Sequence, residues 1–282
     1  MKELIVNDKY NEKKLIPFLL DNFNGLNVNT VYKALRKKDI RVNDIKINSN
    51  ISLQTHDCVK IYIPDKFLFK SVNNNLNIIY EDSNILIINK PAEIEVTGDN
   101  SVSSMLKIQY DFIEPCHRLD RNTTGLLILA KNKEALDILL KKFKNKEIEK
   151  HYKAMIYGIP AVKSQRLEAF LFKDNKKSLV YVSDIPKKGY VPIVTSYNIL
   201  EKHIKENYSF LDVQLHTGKT HQIRAHLAHI GYPIIGDGKY GINKINKQFG
   251  FKTQQLSSYC IKFNFKTDAG ILNYLKDKQI SL

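Results

Sequence analysis

Two rhythms of apolar and polar residues divide the chain. Near the N-terminus, Leu15 to Leu20 is apolar around Pro17, and Val31-Tyr32-Lys33-Ala34-Leu35-Arg36-Lys37-Lys38 repeats at helical spacing. That spacing turns Val31, Ala34 and Leu35 inward and Lys33, Arg36 and Lys37 outward. Ile40-Arg41-Val42 then alternates into an Asn43-Asp44 turn, and Val59-Lys60-Ile61-Tyr62-Ile63 alternates again, which predicts two strands. Residues 1–64 therefore read helix, helix, strand, turn, strand, a small α/β unit. Residues 65–75 end in Asn73-Asn74-Asn75 without periodicity and read as a linker.

The pattern changes in residues 76–282. Ile85 to Ile88, stopped by Pro91, and Leu126 to Ala130 are continuous apolar runs, as expected of buried strands. Glu134 to Phe143 has helical spacing. Lys153 to Gly158, Leu179 to Val182, Val194 to Leu200 and Phe210 to Leu215 are strand-like, and His221 to Ile230 suits a short helix ended by Gly231 and Pro233. Many strands with few helices predict an α+β domain around a mixed, mostly antiparallel central sheet.

Charge narrows the choice of partners. Lys and Arg number 44 against 29 Asp and Glu, a net +15. Such an excess suits a polyanion, although a sequence this rich in Lys, Asn and Ile also carries the mark of an AT-rich genome. Cys58, Cys116 and Cys260 are far apart and form no CxxC, which argues for a reduced compartment and against a zinc ribbon. The N-terminus lacks the apolar run of a signal peptide, and no stretch approaches the roughly 18 apolar residues of a membrane span. A monomeric cytoplasmic protein without membrane contact is expected.

The segment with most chemistry is His117-Arg118-Leu119-Asp120-Arg121-Asn122-Thr123-Thr124-Gly125. Two arginines beside one carboxyl favour its ionised form, and an ionised carboxylate at a loop rim can act as nucleophile or base. A structural ion pair with a Thr-Gly turn fits the same residues. His216, His221, His226 and His229 could in principle gather a metal, but His221 and His226 are five apart and no Cys or carboxylate cluster completes a set, so no metal is expected. Cys116 beside His117 is a weak thiol nucleophile, since adjacent strand side chains point apart.

His-Arg-Leu-Asp, two residues, then Thr-Thr-Gly resembles the catalytic motif of the pseudouridine synthase family typified by RluA, RluC and RluD. Ile85 to Pro91 with Val96-Thr97 resembles the family's Asn-Lys-Pro strand. Lys150-His151-Tyr152-Lys153-Ala154 resembles its Lys-x-Tyr-x-Ala strand. Leu215-His216-Thr217-Gly218-Lys219-Thr220-His221-Gln222-Ile223-Arg224-Ala225-His226 resembles its late motif, continued by Gly231 to Asp237 and Tyr240-Gly241. The order is right, and the match covers roughly residues 76–265. Leu35 to Asn43 with Asp57 to Ile61 resembles the RNA-binding domain named for ribosomal small-subunit protein four. Departures are His56 and Glu93 where Gly is usual, Lys219 for Arg, and His151 for Thr.

The resemblance implies isomerisation of uridine in structured RNA, in ribosomal large-subunit RNA first and transfer RNA second, with no cofactor. Asp120 would engage the ribose at or beside C1′. Tyr152 would lie against the uracil and take the C5 proton, and Arg224 would pair with Asp120. Arg118 would enter the space left by the extruded base. Arg121, Lys219, His221 and Gln222 would contact RNA nearby, and Lys33, Arg36, Lys37, Lys38 and Arg41 would do so from the N-terminal unit. A non-catalytic RNA-binding protein would not need Asp120, Tyr152 and Arg224 together. A glycosidase usually needs two carboxylates flanking the bond.

Overall fold

In the computed structural model, residues 1–23, 25–64, 68 and 76–282 are described. The chain divides into two compact units, Met1–Asn74 and Asn75–Leu282.

The first unit is a four-stranded sheet with two helices. Strands β1 (Lys2–Ile5), β2 (Ile40–Val42), β3 (Ile45–Lys46) and β4 (Cys58–Ile61) lie in the order β1-β4-β2-β3. Helix α1 spans Leu15–Asn22 and α2 spans Val28–Lys37. Pro17 is tolerated because it sits in the first turn of α1, where its missing N–H has no intrahelical partner to lose. Asn27 caps α2 by accepting from the Thr30 amide at 2.9 Å, and Lys38 ends it in the left-handed conformation. Val31, Ala34 and Leu35 are buried while Lys33, Arg36 and Lys37 are exposed, as the spacing requires. Strand β1 is not foreseen from the sequence, because its four residues alternate too briefly to stand out.

The linker expectation for residues 65–75 falls outside the described residues, save for Leu68. That residue is not linker: it is fully buried in the first unit's core and its carbonyl accepts from the Gly25 amide at 2.9 Å.

The second unit is built on a large, mostly antiparallel sheet. Its strands are β5 (Asn77–Glu81), β6 (Ile85–Lys90), β7 (Glu114–Pro115), β8 (Thr124–Ala130), β9 (Ile148–Tyr157), β10 (Ser164–Asp174), β11 (Leu179–Ser183), β12 (Val191–His203), β13 (Tyr208–Leu215), β14 (Leu256–Phe263) and β15 (Gln279–Ser281). The main order is β11-β10-β12-β13-β9-β14-β8-β6-β5, with β8 and β14 parallel. Helices α3 (Val102–Leu106), α4 (Lys133–Lys144), α5 (Gln222–His229) and α6 (Asn243–Phe249) complete it. Among the described residues, no helix is long and apolar enough to cross a membrane.

The apolar runs of β6 and β8 have a simple cause. Leu86, Ile88, Leu127 and Leu129 join one core cluster, while Ile85, Ile87, Leu126 and Ile128 join another. Alternate residues point to opposite faces, so a strand covered on both faces has no polar side to show. The first of these clusters includes Tyr152 of β9, so the sheet face that carries it also floors the candidate site.

Candidate active site

Asp120 sits in the loop between β7 and β8, and the loop is pinned from several sides. Its own carbonyl accepts from the Thr123 amide at 3.0 Å. Leu119 is buried in the core. Thr123 is buried and accepts through Oγ1 from the Gln254 side-chain amide at 2.6 Å. Lys90, at the end of β6 and fully buried, donates from Nζ to the carbonyls of Pro91 (2.8 Å), Ile94 (2.9 Å) and Arg121 (3.0 Å). Three carbonyls satisfy the three ammonium protons. Burial still lowers Lys90 to about 8, against the opposing pull of Asp120.

Gly125, which closes the Thr-Thr-Gly turn, has φ +108°, and a Cβ there would stand 2.2 Å from the Ser258 carbonyl oxygen. Only glycine lets β8 approach β14 that closely. Two departures from the family pattern fall at similar backbone positions. His56 has φ 73° and Glu93 has φ 68°, so each carries a side chain where the backbone is left-handed. Such residues are strained there by about 1–3 kcal/mol each. The Glu93 carbonyl accepts from Arg121 Nε at 3.2 Å, which ties its turn to the Asp120 loop.

The cation that holds Asp120 is not a sequence neighbour. Arg118 and Arg121 are exposed. Arg224 of α5 donates from Nη1 to Asp120 Oδ2 at 2.9 Å. Its other edge grips Asp237 bidentately, Nε to Oδ2 at 2.7 Å and Nη2 to Oδ1 at 2.9 Å. Asp237 is fully buried, and its Oδ1 also accepts from the amides of Lys239 (2.8 Å) and Tyr240 (3.1 Å). Burial pushes the Asp237 carboxyl up, but the Arg224 bonds and these amides outweigh it and hold it below the usual range. Asp237 lies within the late motif, yet nothing in the linear pattern assigns it a role. Its neighbour Gly236, with a Cβ that would stand 2.1 Å from the Thr253 carbonyl oxygen, marks the tight turn that delivers it.

Around Asp120 lie two adjoining clefts of about 270 and 400 Å³, both lined by Arg118, Asp120, His221 and Arg224. The smaller also contains Tyr152, Lys150 and Lys219 and is of a size for one small ligand. The Tyr152 ring is buried. Burial first, and the charge of Asp120 second, push its hydroxyl well above the ordinary phenol value, so it stays protonated. His221 Nε2 is 3.9 Å from Asp120 Oδ2, and its Nδ1 shares a hydrogen bond with the Tyr240 hydroxyl at 2.8 Å. Burial lowers His221, which keeps the ring neutral near pH 7 despite Asp120.

One sequence expectation is corrected. Gln222, read as an RNA contact, is 2% exposed. Its amide donates to Val194 O and Thr195 Oγ1 at 3.0 Å each, and its oxygen accepts from Thr217 Oγ1 (2.8 Å) and the Lys219 amide (3.1 Å). With those groups occupied, it braces the loop before α5. Lys219 is exposed at the cleft. Lys33, Arg36, Lys37 and Lys38 are exposed in the first unit, and Arg41 lies 5.1 Å over the Tyr62 ring.

The histidines are engaged in polar contacts. His216 bonds Ser196 Oγ at 2.8 Å, His226 bonds Thr195 Oγ1 at 3.1 Å, and His229 bonds Asp184 at 2.8 Å. His117 is not free either: Nε2 accepts from the Ile128 amide at 3.1 Å, and burial drives its charged form out. Burial pushes the Cys116 thiol up to about 12, which removes it as a nucleophile.

Known proteins with this sequence pattern point one way. The profile of the family described as RNA pseudouridylate synthase matches residues 84–229. A ribosomal large subunit pseudouridine synthase C of Buchnera aphidicola subsp. Baizongia pistaciae is 32% identical over 86% of this chain and 82% of its own length. An uncharacterized RNA pseudouridine synthase of Mycoplasma capricolum is 33% identical over 99% of this chain and 97% of its own. The solved structure of human RNA pseudouridylate synthase domain containing 1 shares the fold, with a TM-score of 0.60 at 23% identity over 69% of this chain and 81% of that one. With four ordered motifs, full-length relatives and the fold in agreement, the chain belongs to the RNA pseudouridylate synthase family, in its RluA- and RluC-like branch.

Proposed function

We propose that this chain converts uridine to pseudouridine in ribosomal large-subunit RNA, with Asp120 as the catalytic residue. The observation that carries the assignment of Asp120 is its 2.9 Å bond from an arginine fixed on its far side by Asp237. That arrangement fixes the carboxylate and aims it into the cleft that also holds Tyr152. The ribosomal target is supported by relatives of this length that bear that name.

Asp120 engages the ribose at or beside C1′, and the N1–C1′ bond breaks with its electron pair going to uracil. The base stays in the cleft against the Tyr152 ring, rotates, and forms the C5–C1′ bond. The C5 proton is then lost and N1 is protonated, so atoms and charge balance without water or a redox partner. Because the Tyr152 hydroxyl is held protonated, it can take the C5 proton only while passing its own onward. Asp120, released from the ribose at that stage, is the acceptor this reading assigns. Arg118, exposed at both clefts, fills the space left by the extruded base.

The test is a single incubation with ribosomal and transfer RNA. Pseudouridine with no free uracil supports the reading, whereas released uracil would make the protein a hydrolase. Mapping pseudouridines in a deletion strain fixes the target: sites missing from transfer RNA alone would overturn the ribosomal assignment.

A further inference from the structure

Lys90 and Lys142 of the second unit are buried and saturated, and Lys150 is half-buried. Lys90 has its three carbonyls. Lys142 bonds Glu147 Oε2 at 2.7 Å and Thr267 O and Oγ1 at 2.6 and 2.8 Å. Lys150, at the start of β9, has no hydrogen bond or ion pair among the described residues. Its ammonium lies 5.2 Å from the centroid of the Phe143 ring and close enough to His117 for its charge to disfavour a charged imidazole there. Burial lowers it to about 8. Even half-burying a cation without a counter-charge costs free energy that a methionine of similar length would not.

The place where Lys150 sits explains what it lacks. A cleft of about 350 Å³ is lined by Phe143, Lys144, Lys146, Lys150, His216 and Lys219, and no carboxylate lines it. Lys150 and Lys219 also line the cleft that holds Asp120 and Tyr152, as do His117, Leu215 and Gly218, so the two spaces adjoin. His216 is kept neutral by burial and nearby cations, so the positive charge comes from the lysines. We infer that this basic cleft seats a backbone phosphate of the nucleotide next to the target uridine, with Lys150 as its inner contact and Lys144, Lys146 and Lys219 at its rim. The inference rests on the proposed reaction, since it needs a uridine in the cleft beside it. Lys150 is then a substrate-positioning residue: its ammonium is left unpaired by the protein so that the RNA can pair it.

The test uses a five-nucleotide RNA with a central uridine, and its four phosphodiesters replaced one at a time by neutral methylphosphonate. In the wild-type protein one linkage beside the uridine should stand out, its neutralisation weakening binding about tenfold. Lys150→Met should weaken binding of the native RNA by a similar factor, reduce the salt slope by about 0.7, and be indifferent to that methylphosphonate. Lys150→Arg should restore most of the affinity. Equal penalties at all four linkages in the wild type would overturn the inference without any variant. So would an unchanged affinity of Lys150→Met, or a loss in which that variant remains as sensitive to the methylphosphonate as wild type. Pseudouridine formation is scored separately in the wild type, so failure of the proposed reaction is read independently of failure at the phosphate.

Discussion

Arg224 is 7% exposed on its side chain and commits three nitrogens to two carboxylates, whereas Arg36 on α2 is exposed and, among the described residues, returns only a long bond from Nε to the Tyr32 carbonyl at 3.4 Å. The same guanidinium thus serves two purposes. In the second unit its position is determined by partners that are themselves fixed, so Asp120 is aimed before any substrate arrives. Along α2 the cations are solvated and adaptable, which suits a polyanion bound by counterion release. Charge inside the site should resist salt and fail when a partner is removed; charge on the helix should respond to salt and tolerate substitution.

The largest effect should follow from breaking the inner arrangement at its reactive end. Asp120→Asn keeps the shape and removes the charge. Turnover should fall by about 10³-fold or more, while RNA affinity stays within about threefold because phosphates supply most of it. Conversion near the wild-type rate would remove Asp120 from the chemistry.

Tyr152→Phe keeps the ring that packs in the core and deletes the hydroxyl proposed to relay the C5 proton. Glycosidic cleavage should occur and the C5–C1′ bond should form, with the C5 proton retained. A rearranged, non-aromatic base should therefore accumulate in stopped reactions, visible as a chromatographic shift without change of mass. Normal pseudouridine yield would show that another group takes that proton.

A smaller effect should come one step behind Asp120. Asp237→Ala leaves Arg224 buried with one partner, a change that costs about 3–5 kcal/mol for an interior ion pair. Its melting temperature should fall and turnover with it. Adding Arg224→Met should recover stability but abolish the remaining activity. If Asp237→Ala retains full turnover, Asp237 does not aim the arginine.

Why part of this is legible in the sequence is visible in the same residues. β6 and β8 show themselves because burial on both faces forces unbroken apolar runs. Asp120 and Arg224 are brought out by the family resemblance. Physics alone pairs Asp120 with Arg118 or Arg121, because sequence neighbours are all that a linear pattern can weigh; the real partner is 104 residues away. β10 and β14 escape notice because β10 opens on three exposed polar residues, Ser164 to Arg166, and β14 puts the polar Ser258 at a buried position. Helix α5 is marked at its end by Gly231 and Pro233. Its pattern does not reveal Gln222 as a brace, since six consecutive residues from Gln222 to Leu227 are buried regardless of polarity. Asp237 stands in view inside a motif, but a carboxylate's function as a clamp appears only once the guanidinium is seen on it.

The smallest effect should come from the outer charges. Lys33, Arg36 and Lys37 share the exposed face of α2, and none of them carries the core, which Val31, Ala34 and Leu35 supply. Replacing all three with Ala should change stability by no more than about 0.5 kcal/mol per site, since Ala is the better helix former and these side chains pack against little. We propose that these residues touch the RNA substrate. Removing the charge that faces one phosphate should then flatten the dependence of log affinity on log salt by about 0.7–0.9, so three such removals give at most about 2–3. The chemistry should be untouched, because Asp120, Tyr152 and Arg224 all lie in the other unit. The variant would need more RNA for half-saturation and reach the same saturated rate. Titration of both proteins with one transcript at two salt concentrations decides the matter. Equal affinities with equal slopes would mean that α2 does not touch this RNA; a lowered saturated rate would mean that its charges do more than hold the substrate.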